Sequence, residues 1–221
     1  MTAVIRSDDP RLICHGRISH IRPWGPVLAW CGTEVLFRIR ALDPSHPVVL
    51  RFRFGPGMTT GVVQEIGQNW FDVRAGESLL ATFNVPQGTT YVKQTKLPVQ
   101  DGNAAGIQVT LFKRSEARAG TTALLGIELS NAELIAPPPE PRLHIAFYGD
   151  SVTVGACDED GAEDQWEDRS THDYYYSYAA IVTRALGAAG TTIAVSGMGV
   201  VTGWVPFTAE QVRDRTAPDP A

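Results

Sequence analysis

Alternation of apolar and polar positions dominates the first part of the chain. Val48, Leu50, Phe52 and Phe54 alternate with Val49, Arg51 and Arg53, and Val35, Phe37 and Ile39 alternate with Leu36, Arg38 and Arg40. A period of two sends successive side chains to opposite faces of an extended segment, so both stretches are predicted to be half-buried strands. Residues 79–85, 107–111 and 125–129 repeat the period. Turn formers separate the runs: Gly55-Pro-Gly57, Arg74-Ala-Gly76, Pro86-Gln-Gly88 and Asp101-Gly-Asn103. Short strands at near-regular spacing, with no helical stretch, predict an all-β sandwich of jelly-roll type over residues 1–135.

The pattern changes at Ala136-Pro-Pro-Pro-Glu-Pro141, where proline favours extended polyproline geometry. Residues 136–141 therefore read as a stiff linker. Beyond it, Leu143, Ile145 and Phe147 alternate with His144, Ala146 and Tyr148 in a short strand that runs straight into Gly149-Asp150-Ser151. Residues 156–171 follow, with seven carboxylates between Asp158 and Asp168, and read as a solvated loop. A calcium site or the rim of an active site are the sharper alternatives, although Asp158-Glu-Asp-Gly161 is only a fragment of a calcium-loop pattern. Asp173 is then predicted to cap a helix running to Leu186, with Tyr175, Tyr178, Ala179, Val182 and Leu186 on one face and Gly187 and Gly190 ending it. Residues 191–195 read as a second strand that ends at Ser196-Gly-Met-Gly199. Strand, serine turn, helix, strand and glycine turn make one βαβ unit, which requires a parallel pair. Residues 142–221 are thus predicted to be the amino-terminal part of an α/β domain with a flavodoxin-like parallel sheet, and residues 216–221 to be frayed.

Composition narrows the function classes. In 221 residues, 43% are hydrophobic and 19% charged, the balance of an ordinary globular protein. A formal net charge of −5 disfavours nucleic acid and anionic membrane as partners, whereas a neutral polysaccharide fits. Cys14, Cys31 and Cys157 have no metal-ligand spacing, so no metal is expected; Cys14 and Cys31 could pair if the protein is exported. The first residues lack the apolar run of a signal peptide, and no window reaches transmembrane length. The chain is therefore read either as intracellular or as less than the full precursor.

A serine just past the carboxyl end of a strand presents its hydroxyl in the crevice where open α/β sheets bind ligands. Gly149-Asp150-Ser151-x-Thr153-x-Gly155 differs from the G-x-S-x-G elbow, where glycines flank the serine. It matches instead the first signature block of the SGNH, or GDSL, hydrolases. Further blocks occur in the order seen in carbohydrate esterase family 2: Gly16-Arg-Ile18, the region from Trp24 to Trp30, Val109-Thr-Leu-Phe-Lys-Arg114, Gly126-Ile-Glu128, Tyr178-Ala-Ala-Ile181 and Val195-Ser-Gly-Met-Gly199. Over roughly residues 12–205 the chain resembles these acetylxylan esterase-like proteins, which join a jelly roll to an SGNH domain. The resemblance implies a secreted, monomeric, cofactor-free enzyme that removes acetyl groups from polysaccharides such as acetylated xylan or mannan. It makes Ser151 the nucleophile and the backbone N–H groups of Ser151 and Gly199 (alternatively Gly197) the oxyanion donors. Gly149, Asp150, Thr153 and Gly155 support the turn. Among the indoles of Trp24, Trp30, Trp70, Trp166 and Trp204, Trp166 is the expected sugar-binding wall, because it lies in the acidic loop nearest Ser151.

The chain departs from that family in one respect. SGNH enzymes take an oxyanion asparagine and a general-base histidine from later blocks, but no asparagine follows Asn131 and no histidine follows His172. Of the remaining histidines, His172 is the only stand-in near the serine turn and reads as a loop decoration; His144 lies on the strand, and His15, His20 and His46 lie in the sandwich with no partner pattern. A serine without a base is almost wholly protonated at neutral pH, and such losses amount to about 10⁴ in rate. Two further readings follow: a non-catalytic carbohydrate-binding or degenerate protein, and a lipid-directed acyl hydrolase, the latter weakened by the jelly roll.

Overall fold

The computed structural model describes residues 2–21, 25–56, 68–98, 106–163 and 165–199. Strands β1 (Thr2–Arg6), β2 (Ile13–His15), β3 (Ile18–Ile21), β4 (Gly25–Leu28) and β5 (Glu34–Ala41) open the chain. They are followed by β6 (Val48–Pro56), β7 (Asn69–Ala75), β8 (Ser78–Val85), β9 (Tyr91–Leu97) and β10 (Ile107–Lys113). Then come β11 (Thr122–Ser130), β12 (Ala132–Ile135), β13 (His144–Gly149), helix α1 (Tyr178–Ala185) and β14 (Ala189–Ala194).

Two antiparallel sheets hold the first twelve strands. One runs β3-β4-β11-β6-β9 with β1 also on β11; the other runs β12-β5-β10-β7-β8 with β2 also on β5. The alternating positions explain why the sheets face each other. Val48, Leu50, Phe52 and Phe54 of β6 point into the same core as Phe37 and Ile39 of β5, Val109 and Leu111 of β10, and Phe71 and Val73 of β7. Phe54 meets Phe71 and Phe83 of the opposite sheet at ring-centre separations of 5.7 and 5.9 Å. Burial of these rings, at about 25 cal/mol per Å² of apolar surface, is the main force closing the sandwich. One predicted parity is corrected: a register shift between Leu124 and Gly126 turns Leu124 inward with Ile127 and Leu129, leaving Leu125 at the bulge.

The outer face of the second sheet receives the rest of the chain. Phe112, on the opposite side of β10 from Leu111, packs with Cys31, Val154, Tyr174, Ala179, Ala180 and Ala194. β13 and β14 pair in parallel, from His144 opposite Ala189 to Gly149 opposite Ala194. The predicted single helix from residue 173 is two pieces. Asp173 accepts from the Tyr175 N–H and caps a short 3-10 turn, Tyr174–Tyr176; extended Ser177 then caps α1 through the Ala180 N–H. The predicted buried face of α1 is met only in part: Ala179 faces inward, joined by Ala180, while Tyr178, Val182 and Leu186 stand exposed. Small side chains let the helix approach the Phe112 and Tyr174 rings closely. Gly57, Trp24, residues 101–103, Trp204 and residues 216–221 lie outside the described residues.

Arg114, just after β10, fastens these parts together. Its guanidinium pairs with Asp72 at 3.5 Å and Asp173 at 3.4 Å, pairs with Glu159, and donates to the carbonyls of His172 at 3.2 Å and Ser170 at 3.1 Å. Its own carbonyl accepts from the Tyr174 N–H at 2.9 Å. Arg114→Met is expected to lower unfolding free energy by about 3–5 kcal/mol, because Asp173 is then buried without its cation while Asp72 keeps only Arg74, at 3.5 Å. Urea titration checks this, and a loss below about 1 kcal/mol would mean that water screens the cluster.

Candidate active site

The serine turn is built from short-range bonds. The Asp150 side chain accepts from the Val152 N–H at 3.1 Å, its carbonyl accepts from Val154 at 3.1 Å, and the Ser151 carbonyl accepts from Ala156 at 3.0 Å. Gly149 must be a glycine for close packing, since a methyl there would strike the Thr153 side chain, whose hydroxyl lies 3.0 Å from that of Tyr178. Gly155 needs its freedom twice over: φ is +68°, and a Cβ would strike the Asp173 carbonyl. Ser151 is half-buried at the end of β13.

The second glycine turn lies at the same end. β14 runs parallel to β13, and the Val195 N–H donates to the Gly149 carbonyl at 3.3 Å. Ser196, Gly197, Met198 and Gly199 therefore leave the sheet beside the serine turn, with Gly199 exposed and Gly197 half-buried.

The acidic loop is more ordered than its composition predicts. His172 is 1% exposed, with Nε2 3.0 Å from Arg169 Nη1 and 3.6 Å from Cys157 Sγ. Burial, reinforced by the Arg169 charge, pushes its pKa down to about 4. This ring is a packed element of the loop rather than a loop decoration. Trp166 is half-buried, 5.3 Å from the His172 ring, and the Arg169 guanidinium stacks 4.4 Å from the indole centre. One face of the expected sugar wall is thus already covered by an arginine. Burial also raises Asp173 to about 6, with Arg114 opposing only in part. His144 is exposed on β13.

Other expectations are amended. No disulfide joins Cys14, Cys31 or Cys157, and burial pushes Cys14 up to about 11. Among the described residues no group of His, Cys, Asp and Glu has the arrangement of a metal site. His15 does have partners: Glu34 on Nδ1 and Glu140 of the proline-rich segment on Nε2, both at 2.9 Å. Burial would lower its pKa, but the two carboxylates hold it above the ordinary value. Sequence reasoning also passed over Glu116, and met Arg114 only as the end of the Val109–Arg114 block; both reach the second half of the chain from the sandwich. Glu116 offered no signal beyond a charge just after the apolar run of β10.

No family model matches the chain. The Cellulase/esterase CelE of Acetivibrio thermocellus is 29% identical over 209 residues, which is 94% of this chain and 23% of CelE. A solved family two carbohydrate esterase from Clostridium thermocellum, in complex with cellohexaose, is 26% identical with a TM-score of 0.73, covering 90% of this chain and 58% of that one. The chain resembles the family two carbohydrate esterases in both sequence and structure. An acetylxylan esterase / glucomannan deacetylase of Cellvibrio japonicus is 25% identical over 155 residues, 68% of this chain and 40% of that protein. The chain thus spans about a quarter of CelE and little more than half of the solved family two esterase.

The buried imidazole makes stability depend on pH in a definite sense. His172 titrates near 4 when folded and near the ordinary 6.5 when unfolded, so its contribution is present above 6.5 and lost as pH falls towards 4. Asp173 acts oppositely: its contribution is present below 3.8 and lost as pH rises through about 6. In thermal melts between about pH 7 and pH 5, His172→Gln is expected to soften the acid-side fall of the midpoint. An unchanged slope would mean that the folded ring protonates freely.

Proposed function

We propose that this chain carries the nucleophile and part of the oxyanion site of a serine esterase that removes acetyl groups from polysaccharides of the acetylated xylan or mannan kind. The observation that carries the reading is the emergence of Ser151 and the Ser196-Gly-Met-Gly199 turn at the same end of two paired parallel strands. Ser151 Oγ attacks the acetyl carbonyl carbon while its proton passes to a base. The oxyanion accepts from the N–H groups of Ser151 and of Gly199, or alternatively Gly197. Collapse of the tetrahedral species expels the sugar oxygen, which takes up a proton and leaves an acetyl-enzyme for water to cleave. The substrate class is supported by the acetylxylan and glucomannan deacetylase among the relatives and by the cellohexaose bound to the solved esterase. No step requires a cofactor.

A second reading, carbohydrate binding without turnover, is favoured by the state of His172. It is the last histidine of these 221 residues, and it is buried against Arg169 with a strongly lowered pKa. One assay separates the two. Added imidazole supplies a base from solution, so hydrolysis of p-nitrophenyl acetate is expected to exceed that of Ser151→Ala by about 10-fold or more. Without imidazole the two should be equal. If imidazole makes no difference between them, while acetylated xylan still retards the chain in an affinity gel, the binding reading stands.

A further inference from the structure

Glu116 follows β10 on the sandwich and directly precedes the 3-10 turn Ala117–Ala119. It occupies the cap position of that turn, yet its side chain does not cap it. Instead Oε2 reaches across to the second half of the chain and accepts from the Ser196 N–H at 2.7 Å. Both residues are withdrawn from water, Glu116 being 1% exposed and Ser196 0%. Glu116 Oε1 and Ser196 Oγ are buried with no hydrogen-bond partner among the described residues.

Burying a carboxylate to hold one amide is unfavourable for a sandwich that needs nothing beyond its own stability. The surroundings indicate what the carboxylate secures. Val195 packs with Ala29, Trp30 and Ala117 of the sandwich, with Met198 against the same cluster. Arg118 Nη1 donates to the Ser196 carbonyl at 3.5 Å. On its other side the turn is tied to the serine strand through Val195 N–H and the Gly149 carbonyl. The glycine turn is therefore gripped between the sandwich and the strand that carries Ser151.

We propose that Glu116 is a positioning residue: by accepting from Ser196 it holds the 195–199 turn so that the Gly199 or Gly197 N–H is aimed at the acyl oxygen on Ser151. This rests on the esterase reading above. Donors of this kind work only when fixed before the reaction to within a fraction of an ångström. The sandwich then acts as one wall of the oxyanion site rather than as an appended module.

The test uses the full chain with imidazole and p-nitrophenyl acetate. Glu116→Ala is expected to lower the Ser151-dependent kcat about 10- to 100-fold while KM changes by less than about twofold. Glu116→Gln keeps an acceptor oxygen and should recover most of the rate. Equal kcat in Glu116→Ala and parent, with the thermal transition retained, would overturn the proposal, as would a Glu116→Gln protein that folds but fares no better than Glu116→Ala. If the parent shows no Ser151-dependent turnover, the esterase reading has failed separately, and amide exchange then judges the clamp. Faster exchange at Ser196 and Gly197 in Glu116→Ala, but not in Glu116→Gln, supports it; unchanged exchange overturns it.

Discussion

The guanidinium of Arg114 is the constraint on which the arrangement of this protein depends. It is buried, and its charge is met from both directions: Asp72 on the sandwich, and Glu159 and Asp173 on the segment that follows the serine turn. A cation in that position is tolerable only if every partner stays in place. The loop carrying Glu159, Ser170, His172 and Asp173 is therefore drawn onto the end of β10 despite its hydrophilic composition. The Gly155 carbonyl accepts from the Asp173 N–H at 2.9 Å, so the same cluster secures the end of the serine turn.

Electrostatics and packing divide the work at this junction. Phe112, Tyr174, Ala179 and Ala194 supply apolar contact, which is favourable but tolerant of small displacements. Arg114 and Glu116 supply direction, because charge-assisted hydrogen bonds fix distance and angle more tightly than apolar contact does. The two residues lie two positions apart and engage different parts of the second half: Arg114 the loop beyond the serine turn, Glu116 the glycine turn. Their spacing along one backbone sets the spacing of the two turns that frame the proposed reaction centre. A cleft elsewhere at this junction, lined by Glu34, Arg74, Glu77 and Arg184, lies by Ala188 and Gly190 at the opposite end of β14. There Arg74 and Arg184 occupy both faces of Tyr175, at 3.5 and 3.7 Å from its centre.

Period-two alternation was sufficient to identify β5, β6, β8 and β10, each with one face in the apolar core, and β13, whose alternate positions are half-buried. It did not identify β1 or β9, whose partners lie far away in sequence and whose side chains are mostly polar, exposed or half-exposed, nor β12, which is only four residues long. β14 was legible but begins at Ala189, two residues earlier than expected. The helix was placed correctly in the chain and wrongly in its boundaries, and of its expected buried face Ala179 is buried while Tyr178, Val182 and Leu186 are exposed. An amphipathic count favours large apolar residues as the core face, whereas close docking onto aromatic rings favoured Ala179 and Ala180. The bulge in β11 was invisible for a related reason: it is a property of pairing, not of local pattern.

The sequence by itself determined the local conformations: extended segments from alternation, a serine turn from Gly149, Asp150 and Gly155, and the chemical identity of the candidate nucleophile. These depend on steric and hydrogen-bonding preferences within a few residues, so they are written locally. Only the tertiary structure decided that His15 bridges Glu34 and Glu140, that His172 is buried beside Arg169, and that Glu116 holds Ser196. Each of the three is a polar group whose behaviour depends on what desolvates it and what charge it meets. Two of those partnerships join residues that folding alone brings together, Glu140 lying 125 positions from His15 and Ser196 lying 80 from Glu116. His172 meets Arg169 only three positions away, but its burial comes from the fold around it.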